Sequence, residues 1–347
     1  MFLKNAWYVA AWGHEITRAL QQVVVLNEKI CIFRTEAGEI IGLEDACPHR
    51  KLPLSKGRIK GDQVECGYHG LTFDCAGKCV WAPGAGRIPS NANVHAYPIA
   101  EKYGLVWIWM GNPALAEVDE IFEIENYGNA DWGLNQGDAM ELECNYLLMC
   151  DNLLDPTHVA WVHAGSFGQS ATKDTPLRVS KTDEGVIVHR WMMNVEPAPF
   201  YKKVIGFDGN ADRLQHYEVR YPSHALIRAI FTPAGTGGPD STLHADAFVM
   251  DSYNFMTPTT EGKTRYYWFQ LRNIRPDDAD LSKMMSDDVQ QAFEEDRAVL
   301  NEVEIGMREK TSPHIDLSID GGPLRFRRQL EAMIAEEAMV DQKMQGH

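Results

Sequence analysis

Two short segments constrain this chain more than anything else in it: Cys47-Pro48-His49 and, after sixteen intervening residues, Cys66-Gly67-Tyr68-His69. Each offers one thiolate and one imidazole. The residues before them read as short antiparallel strands. Val23–Leu26, Ile30–Phe33 and Ile40–Leu43 are apolar runs separated by Asn27-Glu28-Lys29 and Glu36-Ala37-Gly38, which is hairpin chemistry. Loops carried by adjacent hairpins converge on one point. Two Cys and two His meeting there suit a [2Fe–2S] cluster with both thiolates on one iron and both imidazoles on the other. The alternative is a Cys2His2 zinc site. Zinc sites usually space paired ligands by two or more residues, so the Cys-x-His half favours the cluster.

Composition narrows the class further. The chain has 347 residues, 49 acids against 33 bases, and a net charge of −16. Nucleic-acid binding needs a basic stripe that displaces phosphate counterions, and this balance argues against it. At 44% hydrophobic residues a packed core is expected, and the length suggests two domains. No apolar window approaches about 18 residues, the minimum for a membrane span. The first residues lack a basic segment, a long apolar run and a cleavage site, so the expected location is cytoplasmic, with no membrane partner. Seven cysteines, an odd number, speak against a disulfide framework. Cys31 and Cys144 read as core residues, Cys75 and Cys79 as structural.

Leu105–Met110 reads as a buried strand ended by Gly111-Asn112-Pro113, which places a first domain at 1–113 and a second at 114–347. In the second, Val186–Val188, Ala225–Ile227 and Tyr266–Phe269 are strand-like runs of one antiparallel sheet. Helices are expected over 281–309 and 323–340, with a loose tail from Gln342. The fold class is α+β: an all-β N-terminal domain followed by an antiparallel-sheet-and-helix domain. A second ligand set lies in this part. His158 and His163 are five residues apart, about 140° around a straight helix, but Pro156 interrupts the helical pattern of 142–165. Asp155 suits an N-cap with Pro156 at the first helical position. A two-histidine, one-carboxylate iron site needs one more acid. Asp296 falls within the apolar stripe Met285, Val289, Ala292, Phe293, Leu300, Val303 and Met307. A carboxylate on a buried face calls for a metal or an ion pair, so Asp296 is either the third ligand or the partner of an arginine.

These motifs resemble the Rieske oxygenases, in particular the oxygenase components of the vanillate O-demethylase, dicamba monooxygenase and toluenesulfonate methyl-monooxygenase group. The resemblance covers Asn5–Ala10, both ligand loops with their Pro-His-Arg and Tyr-His-Gly contexts, Leu105–Gly111, Asp151–His163, and Gly321-Gly322 with Arg327-Arg328. Respiratory Rieske proteins carry an extra cysteine in each loop; here Leu52 and Tyr68 stand there. The resemblance implies a Rieske [2Fe–2S] cluster on Cys47, His49, Cys66 and His69, and a catalytic mononuclear Fe(II) on His158, His163 and Asp296 in a helix-grip domain. It implies that Asp155 links an iron-bound histidine to a Rieske histidine of a neighbouring subunit in a homotrimer, with Asn152 beside the iron. Pro156 departs from the family pattern.

The implied activity is that of a terminal oxygenase, a Rieske monooxygenase using O2 and NAD(P)H to O-demethylate a small methoxylated aromatic acid with release of formaldehyde. No Rossmann-type glycine motif is evident, so a separate reductase carrying flavin and a ferredoxin-type cluster is the expected partner. Aryl-methyl hydroxylation, N-dealkylation and ring dihydroxylation are alternatives within the family. A Rieske electron carrier without oxygenase activity is the alternative outside it. For the substrate, Arg228 aligns with a position facing the pocket and would hold an anion, Asn254 stands where a relative uses histidine, and Trp191, Phe200, Tyr201 and Phe207 are candidate aromatic walls.

Overall fold

Hairpin chemistry governs the first third of the chain. The computed structural model of the protein describes residues 1–84, 87–173 and 175–345. Eleven strands come first: β1 (Trp7–Trp12), β2 (Gln21–Val25), β3 (Glu28–Arg34), β4 (Ile40–Glu44), β5 (Arg58–Lys60), β6 (Gln63–Glu65), β7 (Thr72–Phe73), β8 (Cys79–Trp81), β9 (Ala96–Tyr97), β10 (Ile99–Lys102) and β11 (Leu105–Trp109). They form three small sheets, in the orders β1-β11-β10, β2-β3-β4-β9 and β5-β6-β7-β8. Val25 pairs with Glu28 across the β2–β3 turn. Its two central residues, Leu26 and Asn27, have φ of 51° and 67°, the left-handed pair that matches strand twist in a two-residue hairpin. Cys31, Phe33, Leu43, Val64, Phe73 and Cys79 pack into one core with Cys47 and Cys66, so the ligand cysteines grow out of the core itself.

This first unit comprises Met1–Glu123, Thr257–Glu261 and the chain from Glu336. Its break from the rest falls after Glu123 rather than at 113, because the turns following β11 stay attached: the Trp7 indole donates to the Glu117 carbonyl at 2.9 Å.

The second unit is built on a long antiparallel sheet. Its elements are β12 (Gly133–Gln136), β13 (Met140–Leu142), α1 (Tyr146–Leu153), β14 (Arg178–Lys181), β15 (Gly185–Val195), α2 (Pro199–Lys202), β16 (Ala211–Arg220), β17 (His224–Pro233), β18 (Phe248–Thr260), β19 (Lys263–Arg272), α3 (Ala279–Glu309) and α4 (Gly321–Gln345). The strand order is β12-β19-β18-β17-β16-β15-β14, and β13 also pairs with β19. α3 starts where Asp278 caps it, its side chain accepting from the Leu281 amide at 2.8 Å. Leu281, Met285, Val289, Ala292, Asp296 and Leu300 are its buried residues, a spacing that fits one helical stripe. The expected continuation of that stripe does not hold: Val303 and Met307 are exposed. Periodicity records which side chains share a face, not what covers that face.

α1 ends at Leu153, before Pro156, as expected of a residue that cannot donate to a helix ladder. α4 runs to Gln345, past the expected end at 340; the last two residues of the anticipated tail lie outside the described residues. No helix among the described residues is long and apolar enough to cross a membrane.

α1 and α4 are pinned by one ion pair. The Arg327 guanidinium donates through Nε to both Asp151 oxygens at 2.9 Å, and through Nη2 at 2.5 Å. Burial pushes the Asp151 carboxyl up while Arg327 pulls it back down. Replacing Arg327 by Leu strands a largely buried carboxylate. The expected result is a loss of about 2 kcal/mol of stability, read as a lower denaturant midpoint of the second unit.

Candidate metal centres and cavity

The two Cys-His loops are built alike. In the first, the Cys47 amide donates to the Leu52 carbonyl at 2.9 Å and the Lys51 amide to the Cys47 carbonyl at 2.8 Å. In the second, the Cys66 amide donates to the Leu71 carbonyl at 2.8 Å and the Gly70 amide to the Cys66 carbonyl at 3.0 Å. The matching residues Lys51 and Gly70 both adopt positive φ, 59° and 75°. The glycines have separate reasons to be there. A Cβ on Gly67 would meet the Lys56 carbonyl at 2.9 Å, and Gly70 combines its left-handed φ with Trp81 at 3.1 Å.

Both thiols are 2% exposed, whereas His49 and His69 are exposed with ring centroids 4.6 Å apart. Burial pushes the Cys47 thiol up, the amides of His49 and Arg50 donate toward its sulfur and pull it down, and Cys66 beside it raises it again. Two buried sulfurs facing each other, with amides aimed at one, fit a [2Fe–2S] cluster whose sulfur-bound iron is inside and whose imidazole-bound iron is at the surface.

The second cluster draws on three elements. His158 sits on a single helical turn, His158–Ala160, that follows Pro156. His163 lies in the irregular turns beyond, and Asp296 lies on α3. One ligand atom from each lies within 4.8 Å of the others. His163 Nε2 is 3.2 Å and His158 Nε2 3.6 Å from Asp296 Oδ1. The ring tautomers follow from the other nitrogens. His163 Nδ1 lies 2.7 Å from Glu295 Oε2, and His158 Nδ1 contacts the Asp155 carbonyl. Carboxylate and carbonyl oxygens only accept. Each Nδ1 therefore carries a proton, which leaves each Nε2, the nitrogen facing Asp296, as the one available to a metal.

That is the donor set of a two-histidine, one-carboxylate iron site, with second contacts that fix ring orientation. Burial lowers the His163 imidazole, but Asp296 and Glu295 more than offset it and leave it raised. No arginine or lysine among the described residues lies within ion-pair distance of Asp296. Its other neighbour is Asn152, whose Nδ2 donates at 3.0 Å and whose Oδ1 is buried without a hydrogen-bond partner. The Asp155 carboxylate accepts from the Thr157 amide at 2.8 Å, shaping the turn that presents His158.

A cavity adjoins these three residues. Asn152, Phe167, Tyr201, Arg213, Tyr217 and Phe293 are among its walls. Phe167 and Tyr201 meet at a 5.9 Å centroid distance, so Tyr201 is a wall, as the sequence suggested. Arg228 and Asn254 are not in the cavity lining. Ile227 lines it, and alternation along β17 turns the next side chain to the opposite face. There the Arg228 guanidinium is held by Asp251 at 2.7 and 2.8 Å and by Glu125 at 2.9 Å. Asn254 is buried with both polar ends engaged, accepting from the Tyr266 hydroxyl at 2.6 Å and donating to the Ser252 carbonyl at 2.9 Å. Sequence reasoning missed Phe167, Arg213 and Tyr217. The signal available was the period-two row Arg213, Gln215, Tyr217, which is polar yet faces inward.

Arg190 shapes the segment carrying the histidines. Its guanidinium donates to the carbonyls of Thr172 at 2.6 Å, Thr175 at 3.1 Å and Pro156 at 3.1 Å, and to Gln215 Oε1 at 2.7 Å. Burial lowers its pKa to about 10.

Comparison with known proteins agrees with this geometry. Residues 6–98 match the Rieske [2Fe-2S] domain, and residues 142–336 match the vanillate O-demethylase oxygenase C-terminal domain. The iron-sulfur subunit of the toluene-4-sulfonate monooxygenase system of Comamonas testosteroni is 35% identical over 97% of this chain and 98% of its own. The vanillate O-demethylase oxygenase subunit of a Pseudomonas species is 34% identical over 97% and 96%. The crystal structure of dicamba monooxygenase bound to 3,6-dichlorosalicylic acid superposes with a TM-score of 0.89 at 28% identity, covering 97% of this chain and 99% of that one.

Arg190→Leu removes the clasp on three carbonyls. Amide exchange between Pro156 and Thr172 is expected to rise about tenfold or more, with exchange in β16–β19 little changed. Hydrogen-exchange mass spectrometry reads both.

Proposed function

The chain belongs to the family of Rieske oxygenases that share the vanillate O-demethylase oxygenase C-terminal domain, and from that premise we propose that it O-demethylates a methoxylated aromatic acid. It is a Rieske non-haem iron monooxygenase, with a [2Fe–2S] cluster and a mononuclear iron as cofactors. Its relatives are components of multicomponent systems, so a separate reductase is its partner. The observation that carries the proposed reaction is the meeting of His158, His163 and Asp296 at the wall of an aromatic-lined cavity.

In this reading Cys47, His49, Cys66 and His69 hold the cluster, and His158, His163 and Asp296 hold the iron. When bound, the cluster supplies electrons singly, and the mononuclear iron supplies open positions where O2 is activated to hydroxylate a C–H bond. The protein's share is placement. Glu295 and the Asp155 carbonyl lock the two imidazoles. Asn152 orients the Asp296 carboxylate. Phe167, Tyr201, Tyr217 and Phe293 present flat apolar faces to an aromatic ring and exclude bulk water. The Asp155 carboxylate serves as the link to a Rieske histidine of the next subunit in a cytoplasmic homotrimer. Hydroxylating a methoxy carbon consumes one O2, two electrons and two protons, and yields water and a hemiacetal that breaks to a phenol and formaldehyde. The electrons come from NAD(P)H through a reductase carrying flavin and a ferredoxin-type cluster.

A second reading, hydroxylation of an aryl methyl group, is favoured by the similarity to the toluene-4-sulfonate enzyme. Products separate the two. Turnover of methoxybenzoates by the holoprotein with a surrogate reductase and NADH is expected to release formaldehyde in step with substrate loss. Oxygen uptake that yields an alcohol and no formaldehyde overturns demethylation in favour of hydroxylation.

Asp296→Ala is expected to abolish turnover and mononuclear iron content while leaving the [2Fe–2S] absorption spectrum intact; loss of both signals defeats the two-centre assignment. Glu295→Gln keeps the ligands but weakens the lock on His163. It is expected to lower iron affinity by about tenfold or more, measured by chelator competition.

A further inference from the structure

Four arginines belong to β15, β16 and β17, and their surroundings differ; Arg220, at the end of β16, is paired with Glu218 and Glu184. Arg228 is neutralised by Asp251 and Glu125. Arg190 has no acid but is closed off by three carbonyls and Gln215. Arg213 is neither neutralised nor closed. It is 2% exposed and lines the same cavity as His158, His163 and Asp296. Its Nη1 donates to Gln169 Oε1 at 2.6 Å, and the Tyr201 hydroxyl is a second, uncharged side-chain partner. Its guanidinium lies over the rings of Tyr201 at 4.7 Å and Phe231 at 5.0 Å. Its Nε is buried with no hydrogen-bond partner, and no carboxylate among the described residues lies within ion-pair distance of it.

We propose that Arg213 is the specificity-determining anchor that binds the oxyanion of the aromatic substrate, a carboxylate or a sulfonate. A buried cation without a counter-ion is costly unless a ligand supplies one. The planar guanidinium offers five donors in a fork that suits such a group. The Tyr201 and Phe231 rings beside it steady the guanidinium at the cavity wall. The neighbouring acid, Asp212, is already engaged: its oxygens accept from the amides of Asn194, Gly235 and Gly237 at 2.8, 2.7 and 2.9 Å. Alternation along β16 explains the division. Arg213 and Tyr217 share the cavity face, and the register that pairs Arg213 with Phe231 and Tyr217 with Ile227 keeps their β17 partners on that face.

This anchor rests on the proposed reaction, so binding and turnover are measured separately. The probes are 4-methoxybenzoate, 4-methoxybenzenesulfonate and neutral 4-methoxybenzamide, with the holoprotein as wild type, Arg213→Gln and Arg213→Lys. Calorimetry reads affinity, and formaldehyde release reads kcat and KM. The expected result is wild-type preference for an anion over the amide. Arg213→Gln should lose about 100-fold in affinity for the anion, with KM rising more than kcat falls and amide binding little changed. Arg213→Lys should keep the charge but only part of the preference. Iron content and the cluster spectrum report that each variant is folded. The two anions tell carboxylate from sulfonate. Unchanged anion preference in folded Arg213→Gln and Arg213→Lys overturns the anchor while leaving demethylation standing. Anion binding lost in Arg213→Gln, in a wild type that releases no formaldehyde, upholds the anchor and overturns demethylation. Should Arg213→Gln fail to retain its metals, Arg213→Lys decides: undiminished preference for the planar carboxylate overturns the anchor.

Discussion

A carboxylate at 2% exposure faces two imidazoles with no arginine or lysine within ion-pair distance among the described residues. Burying a charge this way is sustained only by a cation of another kind. The groups around Asp296 prepare for one. Glu295 and the Asp155 carbonyl take the outward nitrogens of the two histidines, so the inward nitrogens are the ones a metal can take. Asn152 takes one lone pair of the carboxylate. The surrounding secondary structure serves the same geometry: α1 stops at Leu153, and Arg190 gathers the irregular chain that follows by its carbonyls. An unbroken helix would have put His158 and His163 on different faces.

How much of this was legible in the sequence depended on periodicity and local chemistry. The strands around the Cys-His loops were readable because apolar runs and turn residues alternate over a few residues. α3 was readable because its stripe repeats over many turns, and Asp296 stood out as the charged residue within it. Pro156 announced the break that the two histidines need. Substrate-facing residues were not legible in the same way. β16 carries Arg213, Gln215 and Tyr217 on its inward face, so polarity there marks the cavity rather than solvent. Arg228 attracted attention by aligned position, but its neighbour Ile227 takes the inward face. Val303 and Met307 continue the α3 pattern into solvent, since spacing along one helix carries no information about what packs against it.

Charge placement in the second unit follows from what each arginine can reach. Arg327 and Arg228 meet carboxylates and close ion pairs. Arg190 meets carbonyls, and burial then lowers its pKa without removing its charge at neutral pH. Arg213 meets aromatic faces and uncharged oxygens of Gln169 and Tyr201. Aromatic faces steady a guanidinium but do not satisfy its N–H groups. The cavity thus holds two incomplete charges of opposite sign. In the proposed reading a metal completes the carboxylate of Asp296, and an anion the guanidinium of Arg213. A substrate with an oxyanion at one end and a reactive C–H bond at the other satisfies the guanidinium and brings that bond beside the metal ligands. In this reading its orientation follows from Arg213, which holds the oxyanion at its own end of the cavity.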